Sequence, residues 1–119
     1  MARPRNFDEG TVIALAAEVF GRLGFNATSI DDLLAATGLQ RGSLYKAFGS
    51  KRNLFEKVLI GALVPGWTKR KESLDLLIIA LKEMAPADRP IAKLCRMAVD
   101  EGGTDTSRLL GNRLLEHLE

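Results

Sequence analysis

Residues 39–51 read LQRGSLYKAFGSK. Leu39, Leu44 and Phe48 are spaced for one face of a helix. Gln40, Arg41, Ser43, Tyr45 and Lys46 are thereby turned to the other face, and all of them can hydrogen-bond. Such a set suits a polyanion with readable edges. Arg can hold guanine through two hydrogen bonds, and Gln can do the same with adenine. Gly42 has no side chain, so a ligand could approach the backbone there. The Tyr45 hydroxyl and the Lys46 and Lys51 ammonium groups suit phosphates, which set affinity and register rather than sequence choice. Plainer readings stand beside these: Gly42 for close helix packing, Tyr45 as a half-buried surface aromatic, Gln40 as a helix cap.

The elements that must hold this face are helical. The spacing predicts a first helix from about Asp8 to Leu23, with Val12, Ile13, Ala16, Val19, Phe20 and Leu23 on one stripe. Thr28 and Asp31 are spaced as a capping box that opens a short second helix, with Ile30, Leu33 and Leu34 inward. Free N–H groups at that helix start would attract a phosphate beside Thr28 and Ser29. Thr37-Gly38-Leu39 then forms a sharp turn into the third helix, residues 40–48. Two short helices joined by a glycine turn make a helix-turn-helix, whose second helix enters the DNA major groove.

Gly49 ends the third helix. Ser50 caps a fourth, expected over residues 51–64 with Leu54, Phe55, Val58, Leu59 and Ala62 inward. Pro65-Gly66 breaks the chain. Further helices are expected over residues 67–84 (Trp67, Leu74, Leu77, Ile78, Leu81) and 91–101 (Ile91, Leu94, Cys95, Ala98, Val99), with a loop from Pro86 to Pro90. A last helix, capped by Thr104 or Asp105, carries Leu110, Leu114 and Leu118. The fold class is all-α.

Composition narrows the function. Hydrophobic residues make up 46% of the 119, typical of a globular protein, so a folded chain rather than a disordered one is expected. The net charge is only +2, but residues 1–60 hold 8 Lys/Arg against 6 Asp/Glu, while residues 61–119 hold 9 of each. Arg41, Lys46, Lys51, Arg52 and Lys57 lie close together with only Glu56 among them, a local basic cluster. The longest strongly apolar run, LLIIAL at residues 76–81, is too short to span a bilayer. The start, MARPRNFDEG, has no apolar stretch behind its charge, so no secretory leader is expected. The single Cys95 cannot form an internal disulfide, so a reducing cytoplasm is expected.

An enzyme is disfavoured. The sequence has no His-Glu-x-x-His, no paired cysteines and no glycine-rich phosphate loop, so no cofactor or metal is expected. Cys95 and His117 are its one Cys and one His, and Cys95 falls on an apolar stripe. A helical protein-interaction module without DNA binding is the alternative function. Trp67, Met84, Cys95 and Met97 are candidates to line an effector space, with ordinary core as the commoner use of such residues.

The stretch TSIDDLLAATGLQRGSLYKAFGSKRNLFEKVL, residues 28–59, closely resembles the DNA-binding segment of TetR-type (tetracycline-repressor-like) transcriptional regulators. Thr28, Ile30, Ala35, Gly38, Gly42, Leu44, Tyr45, Phe48, Lys51 and Leu54 fill the family's pattern, and Ala16, Phe20, Gly24 and Phe25 fit ahead of it. The resemblance implies a repressor that binds double-stranded DNA at a pseudo-palindromic operator as a homodimer. It implies a DNA-binding head over residues 1–49. Residues 50–119 would supply a connecting helix and a C-terminal domain for dimerisation and a small-molecule effector. Carried over by position, Thr28, Tyr45 and Lys51 would touch phosphates, while Gln40, Arg41, Ser43 and Lys46 would read bases. The family's C-terminal domain is usually longer, so this one is expected to be short or truncated.

Overall fold

The computed structural model describes residues 7–119, and residues 1–6, with the start of the leader reading, lie outside the described residues. The described chain is helical with no strand. Helix α1 spans Glu9–Leu23, α2 Ile30–Thr37, α3 Arg41–Phe48 and α4 Lys51–Ala62. After a 3₁₀ turn at Trp67–Lys69 come α5, Lys71–Ile79, and a π turn at Ala80–Met84. Helix α6 spans Arg89–Gly102, and a second 3₁₀ turn at Gly103–Asp105 leads into α7, Thr106–Glu116. Among the described residues no helix is long and apolar enough to cross a membrane.

Capping chemistry sets the N-terminal boundaries. The Asp8 carboxylate accepts from the Thr11 N–H at the start of α1, and Ser50 accepts from the Asn53 N–H at the start of α4. Gly38 closes α2 in the left-handed region, at φ 76° and ψ 4°, where a side chain would be strained. The chain can therefore reverse between α2 and α3 within a few residues.

The core of the head is built on α1. Ala16, Phe20, Leu33, Leu44, Leu54, Phe55 and Leu59 are fully buried. Three aromatic rings tie α1, the loop after it and α4 together. Phe20 and Phe55 meet edge to face at 5.1 Å, and Phe25 and Phe55 at 5.4 Å. Leu74, Leu76 and Leu77 of α5, with Ile91, Cys95 and Ala98 of α6, continue the core into the second half.

Several boundaries differ from the sequence expectation. The capping box lies one residue later, between Ser29 and Asp32, because Thr28 is buried. The fifth helix is not continuous: Arg70 is extended, at φ −114° and ψ 122°, and separates the 3₁₀ turn from α5. Its far end widens into the π turn. Pro90 lies inside α6, which starts at Arg89; proline is tolerated in a first turn because those N–H groups have no helical partner anyway. Asp105 makes no side-chain cap, since a 3₁₀ turn feeds α7 directly. Leu23, Leu114 and Leu118 are exposed rather than inward.

Candidate nucleic-acid interface

Helix α3 has two sharply different faces. Leu44 and Phe48 are 0% and 5% exposed, while Tyr45 is 42% exposed. Gln40, Arg41, Gly42 and Lys46 are exposed with it, and Ser43 is half-buried. Gln40 is the N-cap residue by backbone, but its side chain makes no capping bond. Nothing lies within 4 Å of a Cβ built on Gly42, so close packing inside the chain does not explain that glycine. The helix thus presents one polar surface, floored by a bare backbone patch.

The structure departs from the sequence expectation at Thr28. Its side chain is 1% exposed, and its hydroxyl donates to the Gly24 carbonyl at 2.6 Å. The side chain therefore closes the loop between α1 and α2 and does not reach the surface. Ser29 is exposed, but its hydroxyl accepts from the Asp32 N–H, and its own N–H donates to Asp32, both at 2.9 Å. The Ser29 backbone N–H, with the Ser29 hydroxyl beside it, holds the Asp32 carboxyl below its ordinary value. Asp31 and Asp32 both occupy the first turn of α2 and already answer its positive end, so a phosphate there meets two carboxylates.

Lys51 also differs. Its ammonium donates to the carbonyls of Phe25 and Thr28, 2.9 Å from each, and lies 4.3 Å from the centre of the Phe25 ring. It is half-buried and directed into the head. Two of its three N–H donors serve the fold. The cations on the outer surface of α3 are Arg41 and Lys46.

Three ion pairs had no clear mark in the sequence. The Arg41 guanidinium pairs with Asp31 across the helix-turn-helix, with both side chains exposed. Arg52 holds Asp88 through two parallel bonds of 2.8 and 2.9 Å, and Asp88 also caps α6. Lys57 reaches Glu9 of α1 at 2.8 Å. Residue spacing could have offered Arg52–Glu56 at i,i+4 and, further along, Asp105–Arg108 and Arg113–Glu116 at i,i+3, and all three are present.

Three of the four candidate effector-lining residues belong to one buried core cluster, and the fourth stands outside it. Trp67, Met84 and Cys95 are buried core, and Met97 is 59% exposed. The Trp67 indole N–H lacks a hydrogen-bond partner among the described residues. Burial pushes the Cys95 thiol up to about 11, so it is protonated and inert at neutral pH. An open groove of about 790 Å³ lies elsewhere, between α1, α4, α5 and α7. Ala14, Ala17 and Gly21 of α1 border it, with Gly61, Asp75 and Arg113 facing them, and none of the four candidates does.

Residues 12–58 match the family model described as bacterial regulatory proteins, tetR family. The chain is 47% identical over 55 residues to an uncharacterized HTH-type transcriptional regulator, YezE, of Bacillus subtilis (strain 168), covering 46% of this chain and 28% of that protein. It is 33% identical over 91 residues to the HTH-type transcriptional repressor BdcR of Escherichia coli (strain K12), covering 76% of this chain and 41% of that one. The HTH-type transcriptional repressor ComR of the same strain is 40% identical over 57 residues, 48% of this chain and 27% of ComR. The chain therefore spans less than half the length of these relatives. No solved structure matches it significantly. The motif of residues 28–59, the helix-turn-helix that it folds into and these matches agree: the chain belongs to the TetR family of bacterial regulatory proteins.

Proposed function

We propose that this chain is a sequence-specific DNA-binding transcriptional regulator, a repressor that acts as a homodimer on a pseudo-palindromic operator. Residues 1–49 serve as the reading head, and residues 50–119 carry the connecting helix and the dimerisation and effector functions. The observation that carries the reading is the outer face of α3. Gln40, Arg41, Tyr45 and Lys46 are exposed together, opposite a buried Leu44 and Phe48. A helix of this length fits the major groove, and its first residues lie nearest the base edges. In this reading Gln40 and Arg41 select bases and Ser43 assists. Tyr45 and Lys46 hold the backbone, with Gly42 allowing close approach. Lys51 acts mainly through the shape of the head. The relatives named as transcriptional repressors, BdcR and ComR, support the sign of regulation. The effector, if one acts, has the α1–α4–α5–α7 groove as its nearest space rather than the Trp67 region.

The test is selection of duplexes from a random pool, followed by anisotropy titration at several salt concentrations. An enriched inverted repeat, bound with a steep salt dependence, is expected, because phosphate contacts release counterions. Equal, salt-insensitive affinity for all duplexes would favour the interaction-module reading instead.

A further inference from the structure

The loop from Gly24 to Thr28 joins α1 to α2, and its peptide groups are held by two opposite charges from distant parts of the chain. Glu83, in the π turn after α5, accepts from the Asn26 N–H at 2.7 Å and from the Phe25 N–H at 3.4 Å. On the other side Lys51 holds the Phe25 and Thr28 carbonyls. The fit is close: a Cβ on Gly24 would stand 2.7 Å from a Glu83 carboxylate oxygen, and Gly24 has φ +88°. Ser29, the N-cap of α2, follows this loop directly.

We propose that Glu83 is a positioning residue for the reading head, setting the attitude of α2 and hence of α3 through the N–H groups of Phe25 and Asn26. The proposal rests on the DNA-binding reading above. The line of transmission is short. The loop fixes Ser29, the capping box fixes the first turn of α2, and the Gly38 turn with the buried Leu33 and Leu44 fixes α3 on α2. A carboxylate accepting N–H bonds is stronger and more directional than a neutral acceptor. The π turn matters because its wider winding decides where Glu83 points; the Ala85 N–H donates to the Ala80 carbonyl at 2.8 Å in place of an α-helical bond. Phe25 is only half-buried and Asn26 is exposed, so water can replace the lost bonds. Loss of Glu83 should therefore change geometry more than stability.

The test uses the intact chain with Glu83→Ala and Glu83→Gln. Affinity is measured for the duplex that the wild-type chain selects and for a random duplex, over a salt series, alongside thermal melts and amide exchange. For Glu83→Ala we expect a loss of about tenfold on the selected duplex, little change on random DNA and an unchanged salt slope. Exchange should quicken at Asn26 and through Ser29–Asp32, with the melt nearly unmoved. Glu83→Gln should recover much of the affinity, because its amide oxygen can still accept the Asn26 N–H. Equal losses on both duplexes with a lowered melt would make Glu83 a fold residue only and overturn the proposal. Unchanged exchange in the first turn of α2 would overturn it as well. A wild-type chain with no duplex preference would sink the DNA-binding reading instead, and the exchange result would then decide the clasp by itself.

Discussion

Lys51 stands over Phe25, its ammonium 4.3 Å from the ring centre and 2.9 Å from that residue's carbonyl oxygen. A second carbonyl, that of Thr28, lies at the same 2.9 Å. A cation at the start of α4 would be unfavourable against the helix's own positive end, and these two acceptors and the ring compensate it. A residue expected to meet phosphate thus bonds within the head.

Lys51→Met should lower stability by about 1–3 kcal/mol, because two partly buried carbonyls lose a charged donor. Urea unfolding at neutral pH measures this. Affinity should fall for selected and random duplexes alike, in step with the loss of head structure, while the salt slope changes by less than one unit per head. A full unit lost, with stability unchanged, would return Lys51 to the phosphate-contact role.

Asp88 predicts an acid-sensitive seam. The Arg52 guanidinium holds its carboxyl below the ordinary value of 3.8, with the Ile91 N–H helping. The folded value is depressed, so the stabilisation is complete above the unfolded value, near pH 4, and is lost as pH falls through the folded one. Asp88→Asn keeps the cap, since Asn is as good at that position, and removes only the charge. It should cost about 1–2 kcal/mol at pH 7. Below pH 4 the gap between the two proteins should narrow. Urea midpoints at pH 7 and pH 3 test both halves; no gap at pH 7 would mean that Glu56 alone serves Arg52, and a gap that does not change with pH would mean that the loss is not that of the charge.

Much of the head was legible in the sequence, and the reasons are local. Val12, Ala16 and Phe20 recur at helical spacing, Gly38 marks a reversal that other residues adopt with strain, and Ser50 begins α4 with its own cap. Side-chain roles at the interface were less legible, because they depend on what lies across the fold. Thr28 and Lys51 are both polar residues near a helix start, which reads as surface. Only the packed loop shows that one closes onto Gly24 and the other onto Phe25. Glu83 lies 57 residues from Asn26, so no periodicity could join them. The second half was least legible: a π turn has no sequence signature, and Met97, chosen for its side chain, lies off the Ile91–Leu94–Cys95–Ala98 stripe and faces out.

Asp31 should restrain DNA binding. It pairs with Arg41 on the exposed surface, where such a pair contributes about 0–1 kcal/mol to folding. DNA must break this pair before Arg41 can reach a base, and the Asp31 carboxylate also repels phosphate. Asp31→Asn should therefore tighten binding to all duplexes by about threefold to tenfold and change stability by no more than about 1 kcal/mol. Arg41→Ala should cost about 1–3 kcal/mol on the selected duplex and relax the choice at one base pair. A double-mutant cycle on affinity separates the two effects. If Asp31→Asn still tightens binding equally in the Arg41→Ala background, the benefit is general repulsion removed rather than an arginine released.

Tyr45 and Phe48 provide the sharpest division between contact and packing on α3. Tyr45 is 42% exposed, and its hydroxyl makes no hydrogen bond to the described residues; Phe48 is 5% exposed. Tyr45→Phe removes one hydroxyl that meets water in the free protein, so the melting temperature should stay within about a degree or two. On DNA the same hydroxyl is expected to donate to a phosphate, a bond worth about 1.5–3 kcal/mol when well formed. Phe48→Ala behaves in the opposite way. It empties a large core site beneath α3, where the Lys57 ammonium lies 5.6 Å from the ring centre, and should cost about 3–5 kcal/mol of stability. Binding then fails because the head no longer holds its shape. Circular dichroism melts and anisotropy titrations on the two variants decide the matter together. A Tyr45→Phe variant that melts earlier yet binds fully would show the hydroxyl bonded within the protein, and the reading face of α3 would then have to be assigned to other residues.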